Sequence, residues 1–168
     1  MEQKLAAKNK HPCFILVRPQ MGENIGAAAR AMWNFGLERM RVVSPRDGWP
    51  NQKAVAMASG AGRLLDEALI FPTFEEAIAD QNFVFATTAR PRDLIKPIYS
   101  PKDAIRIAVS KMSEGQNVGF IFGPERSGLE NSDIVKANAI ISVPVNDHFP
   151  SLNLAQCVLV LALSLIHI

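Results

Sequence analysis

Three short runs constrain this chain most: "CFILV" (13–17), "FVFATT" (83–88) and "VGFIFG" (118–123). Each is almost wholly apolar and rich in β-branched or aromatic residues, without the strict alternation of a strand that keeps one face wet. Strands of this kind fit a parallel sheet with helices on both faces. The segments between and around them agree. Residues 24–35 and about 51–59 read as helices. "RVVS" (41–44), "ALIF" (68–71) and "AIISVPV" (139–145) read as further strands. Thr73 and Glu76 form the pattern of a capping box. Ser100, Pro101 and Asp103 open a helix that Gly115 closes. "NSDIVKAN" is a short helix, and Ser151 starts the last one. The alternation predicts an α/β domain with a mainly parallel six-stranded sheet flanked by helices.

Composition adds bounds. With 168 residues, 48% hydrophobic and 20% charged, the chain suits one domain with a real core. A net charge of +2 neither requires nor excludes a nucleic-acid partner. Cys13 and Cys157 lie in apolar runs and read as buried thiols of a reducing, cytoplasmic protein. No spacing suggests a metal site. The N-terminus lacks the apolar core of a secretory signal. The run "LNLAQCVLVLALSLIHI" falls short of the roughly 20 residues that span a bilayer, so it reads as a buried or partner-covered helix.

Ligands of such folds bind beyond the carboxyl ends of the strands, which directs attention to residues 18–24, 87–92, 123–130 and 144–153. Familiar nucleotide signatures fail there. "SGAGRLL" has leucine at 65 and no preceding strand, and "GPERSGL" has Leu129 where a P-loop needs lysine. His11, His148 and His167 are far apart in sequence and read as structural or surface residues.

Three segments are more telling. In "GENIGAAARAMWNFG" (22–36), Ile25, Ala28, Ala29, Met32 and Phe35 form a core stripe, and Arg30 stands on the opposite face among small residues. Alone it could be an ordinary solvated arginine, but the small residues also leave room for a large partner to approach. "FGPERSGLEN" is a rigid loop displaying the Glu125 carboxylate, or a salt-bridged turn. "HFPSLNLAQ" sets Ser151 and Asn153 at a helix N-terminus, where the Ser151 hydroxyl can cap free N–H groups.

In order, Asn24-x5-Arg30-x5-Gly36, Gly123-Pro124-Glu125-Arg126-x-Gly128-Leu129 and Ser151-Leu152-Asn153-Leu154-Ala155 resemble the three motifs of the SpoU (TrmH) family. These are RNA ribose 2′-O-methyltransferases of the SPOUT superfamily. The resemblance covers about Cys13 to Leu163, and "ATTARPR" after the fourth strand is similar to the TrmJ-like subgroup. It implies one domain over 1–168, with an N-terminal arm (1–12), a deep trefoil knot within about 117–168, and no sign of the C-terminal extension usual in that subgroup. It implies a homodimer with a shared active site, S-adenosylmethionine as cofactor, no metal and no membrane. The implied substrate is a ribose 2′-hydroxyl in RNA, best matched by nucleotide 32 of a tRNA anticodon loop. A ribosomal RNA substrate and an inactive RNA-binding domain are the alternatives.

Residue by residue, the resemblance assigns cofactor binding to Thr87, Thr88, Ala89, Gly123, Val143, Ser151 and Leu152. It assigns catalytic roles to Arg30, Asn24, Glu125, Ser151 and Asn153. Arg18, Arg90, Arg92 and Arg126 are candidate RNA contacts. A guanidinium is a poor base at neutral pH. Arg30 therefore acts with a depressed pKa, by holding a phosphate that takes the proton, or by stabilising the developing alkoxide.

Overall fold

The strand β1 (Cys13–Val17) lies inside the sheet and is buried along its whole length. It pairs in parallel with β2 (Met40–Val43) on one side and β6 (Val118–Phe122) on the other. β2 carries β3 (Leu69–Phe71). Beyond β6 come β4 (Phe83–Thr87), β7 (Ala139–Ile141) and β5 (Ile98–Tyr99). The order is β3-β2-β1-β6-β4-β7-β5, with every pairing parallel. The sheet thus has seven strands where the sequence predicts six. The extra one, Ile98–Tyr99, is two residues long and half exposed, too short to show a periodicity. The computed structural model describes residues 11–89 and 95–166. Arg90, Arg92, His167 and residues 1–10 of the predicted arm lie outside them.

The period of two sorts the strand residues between two cores. Phe14, Leu16, Phe85, Phe120 and Phe122 face one way, onto α1 (Gly22–Asn34), α5 (Pro101–Ser113) and α7 (Leu154–Ile166). The short helices α2 (Gln52–Ala58) and α3 (Gly62–Glu67) complete that layer. Cys13, Ile15, Val17, Val84 and Ile121 face α4 (Phe74–Ile78) and α6 (Asn131–Val135). Fully buried phenylalanines of this kind stabilise the fold by about 1.5–3 kcal/mol each. Phe14 packs edge-on against Phe120, with ring centroids 5.5 Å apart.

Helix ends follow local chemistry. Thr73 accepts from the Glu76 N–H at 3.3 Å, the hydroxyl half of the predicted box. Ser100 caps α5 in the same manner, and Gly115 leaves it at φ +82°. The last helix starts at Leu154, three residues later than expected. Its cap is Asn153, whose Oδ1 accepts from Ala155 N–H at 2.9 Å and Gln156 N–H at 3.2 Å. Ser151 stands outside that cap, in the irregular segment before the helix. Among the described residues, no helix is long and apolar enough to cross a membrane.

Candidate active site

The carboxyl ends of β4, β6 and β7 open into a cavity of about 410 Å3, within the range of small-molecule sites. Three stretches wall it: Thr87–Ala89 after β4, Phe122–Leu129 after β6, and Pro150–Leu152 before α7. All seven residues expected at a cofactor, Thr87, Thr88, Ala89, Gly123, Val143, Ser151 and Leu152, are brought together there. Glu125, Arg126 and Cys157 also line it. Burial pushes the Cys157 thiol up to about 11, so it is a poor nucleophile at neutral pH. Thr87 is turned inward and donates from its hydroxyl to the Ile121 carbonyl at 2.7 Å, tying β4 to β6.

The loop after β6 folds back on itself. Gly128, at φ +69°, donates its N–H to the Pro124 carbonyl at 2.9 Å. A Cβ on Gly123 would sit 2.3 Å from the Leu129 nitrogen. Only glycine permits this close return.

One hydrogen-bonded chain joins the three motif segments. The Glu125 carboxylate does not project into solvent. It accepts from Gln20 N–H at 2.6 Å, Met21 N–H at 3.2 Å and Asn24 Nδ2 at 3.5 Å. Asn24, buried at the start of α1, accepts on Oδ1 from Asn153 Nδ2 at 3.0 Å. Glu125 therefore fixes the entry of α1, and Asn24 couples that entry to the cap of α7. No sequence signal announced the link, because the two asparagines are 129 positions apart.

Arg30 takes no part in this chain. It is exposed on α1, and among the described residues it has no hydrogen bond or ion pair. It does not line the cavity of its own chain. Arg126 is exposed on the cavity rim. Arg18 lies elsewhere: its two terminal nitrogens meet the Asp133 carboxylate at 3.3 and 2.5 Å. That pair lines a second cavity of about 260 Å3 with Ser44, Thr73, Glu75 and Lys136, where Lys136 is paired with Glu75. Among the described residues no three acidic, cysteine or histidine side chains group as metal ligands would.

A parallel α/β sheet with a cavity beyond the carboxyl ends of its strands, lined by two of the three sequence motifs and tied to the first through Glu125 and Asn24, defines a class of α/β proteins that bind small ligands at that edge. Within that class the chain belongs to the SpoU rRNA methylase family, which it matches over residues 12–163. It is 37% identical over 150 residues to the tRNA (cytidine-2′-O-)-methyltransferase TrmJ of Methanocaldococcus jannaschii, covering 88% of this chain and 64% of that protein. It is also 37% identical over 147 residues to the tRNA (cytidine/uridine/adenosine-2′-O-)-methyltransferase TrmJ of Pseudomonas aeruginosa, covering 88% and 57%. The crystal structure of TrmJ from Z. mobilis ZM4 superposes with a TM-score of 0.86 at 53% identity, covering 92% of this chain and 68% of that one. The chain thus spans 57–64% of the length of these two curated relatives.

Proposed function

We propose that this chain is the methyltransferase domain of a TrmJ-like enzyme that methylates a ribose 2′-hydroxyl of tRNA. The substrate assigned is a pyrimidine at nucleotide 32 of the anticodon loop. One observation carries the reading: the cavity gathers the cofactor residues of the motifs while one hydrogen-bonded chain ties all three motif segments together. The domain comprises residues 1–168, with a trefoil knot within about 117–168, and works in the cytoplasm.

The cavity fits S-adenosylmethionine. Its volume suits a bent nucleoside, and the return at Gly123 presents main-chain groups in place of an acidic ribose clamp. Thr87, Thr88, Ala89, Gly123, Val143, Ser151 and Leu152 would hold it. When bound, the cofactor supplies a methyl group on a positive sulfonium. The chain's own work is orientation and charge. Glu125, Asn24 and Asn153 set the cavity wall against α1, and Ser151 and Leu152 bound the mouth.

Arg30 meets the RNA. Its fixed cation holds the phosphate beside the target ribose or stabilises the oxygen as it loses its proton. Its absence from the cavity of its own chain supports a homodimer in which Arg30 serves the partner's cavity. Leu159, Leu163 and Ile166 lie exposed along α7 and offer an apolar face for that contact. Arg126, with Arg90 and Arg92, contributes further phosphate contacts.

Transfer of labelled methyl from S-adenosylmethionine to unmodified tRNA tests the reading, with the product mapped by nuclease digestion and mass spectrometry. A ribose-methylated pyrimidine in the anticodon loop is expected. Label on a base, or none on any tRNA while the cofactor binds, contradicts it.

A further inference from the structure

The Arg18–Asp133 pair is not needed to build the cavity wall directly, yet it sits where two motif loops meet. Arg18 is the first residue after β1, and its backbone is left-handed, at φ +48°. Its guanidinium forks onto Asp133, whose side chain is only 6% exposed. Asp133 also accepts the Glu130 N–H at 2.9 Å, within the reciprocal box that opens α6. Glu130 directly follows Leu129, the last residue of the cavity's folded-back loop. On the other side, Gln20 and Met21 are held by Glu125 near the start of that loop. Two carboxylates at opposite ends of residues 125–133 therefore grip residues 18–21 at two points.

We propose that Arg18 is a positioning residue for the cofactor cavity and not an RNA contact. Its fork on Asp133 fixes the lower end of the loop 123–130, as Glu125 fixes the upper end. The cavity then keeps its shape while α1 is loaded by RNA. A phosphate drawn to Arg18 would have to displace Asp133 and leave a buried carboxylate without its counter-charge, which is costly. The proposal rests on the methyltransferase reading above.

Arg18→Lys and Asp133→Asn separate the two roles. Lysine keeps a point charge for a phosphate but loses the planar fork. Asparagine at 133 removes the counter-charge from Arg18, so an Arg18 that lay within reach of RNA would then hold it more tightly. Titration calorimetry with S-adenosylhomocysteine reads the cavity, and tRNA binding over a range of salt concentrations reads phosphate contacts. Both variants should weaken S-adenosylhomocysteine roughly tenfold, the scale of coupling between linked sites. The tRNA affinity and its salt slope should stay at wild-type values, and the KM for cofactor should rise more than that for tRNA. Melting curves establish that each variant is folded, and the charge-conserving lysine keeps Asp133 compensated. Unchanged cofactor affinity in Arg18→Lys overturns the proposal, as does tighter tRNA binding in Asp133→Asn. Wild-type protein that binds no S-adenosylhomocysteine overturns the parent reading as well, a distinct result.

Discussion

Asn153 donates from Nδ2 to Oδ1 of Asn24 at 3.0 Å, and the same Asn153 caps α7 through its Oδ1. One carboxamide thus does two jobs with its two ends. Asn153→Asp keeps the acceptor for the cap and loses the donor for Asn24. Turning the Asn24 amide round does not repair this, because one of the two carboxylates, 125 or 153, then faces an oxygen. Aspartate and asparagine are comparable N-caps, so the cap survives and the melting temperature should fall only by the few degrees that the lost bond to Asn24 costs. Methyl transfer should fall roughly tenfold, the coupling expected within one hydrogen-bond network. Equal losses of stability and turnover would mean that the cap alone matters.

Gly123→Ala places a methyl 2.3 Å from the Leu129 nitrogen, against main chain that cannot swing aside. The loop must open, and the cavity wall with it. Calorimetry should show no measurable S-adenosylhomocysteine binding at concentrations that saturate the wild type, while far-ultraviolet circular dichroism keeps its α/β signature.

If the proposed homodimer brings Arg30 of one chain to the cavity of the other, two defective chains become complementary. Arg30→Ala retains a sound cavity, and Gly123→Ala retains a sound arginine. A mixture refolded or co-expressed should methylate tRNA faster than either variant alone, because a hybrid dimer contains one complete site. A mixture no better than the average of its parents would place Arg30 and the cofactor in the same chain.

At the opposite edge of the sheet, Arg41 reaches from within β2 to Asp80 with both terminal nitrogens, at 2.5 and 2.6 Å. That bond holds the Asp80 carboxyl down at about 2, below the usual value near 3.9. A depressed carboxyl adds stability above the unfolded value and loses it as the pH falls through the folded one. The gap in melting temperature between wild type and Asp80→Asn should be full above about pH 4 and close towards pH 2. Asp80 is 55% exposed, so screening keeps the gap modest.

The centre of the sheet was legible in the sequence because β1, β4 and β6 are covered on both faces and so read as unbroken apolar runs. β5 was not, since Ile98–Tyr99 gains its structure only by pairing with Ile140 and Ile141 of β7. The lining of the cavity followed from motif resemblance. The internal logic of the site did not. Glu125 reads from the sequence as a displayed carboxylate or as part of a salt-bridged turn, and the structure turns it onto the N–H groups of Gln20 and Met21, more than a hundred positions away. Ser151 reads as the cap by position, but the helix begins only at Leu154, and Asn153 reaches both the helix N–H groups and Asn24. Arg18 read as a free cation because Asp133 lies 115 positions downstream. Long-range partners of polar groups are set by the crossing of loops above the sheet, which no local pattern encodes.

The most direct test is the single-turnover rate of methyl transfer to unmodified tRNA for wild type, Arg30→Ala and Arg30→Lys, at saturating S-adenosylmethionine. If Arg30 is the fixed cation at the reacting ribose, Arg30→Ala should be slower by roughly 100- to 1,000-fold, the usual loss on removing one transition-state donor, with cofactor binding unchanged. Arg30→Lys reports whether charge alone suffices or the planar fork is needed. Transfer by Arg30→Ala at the wild-type rate would contradict the account.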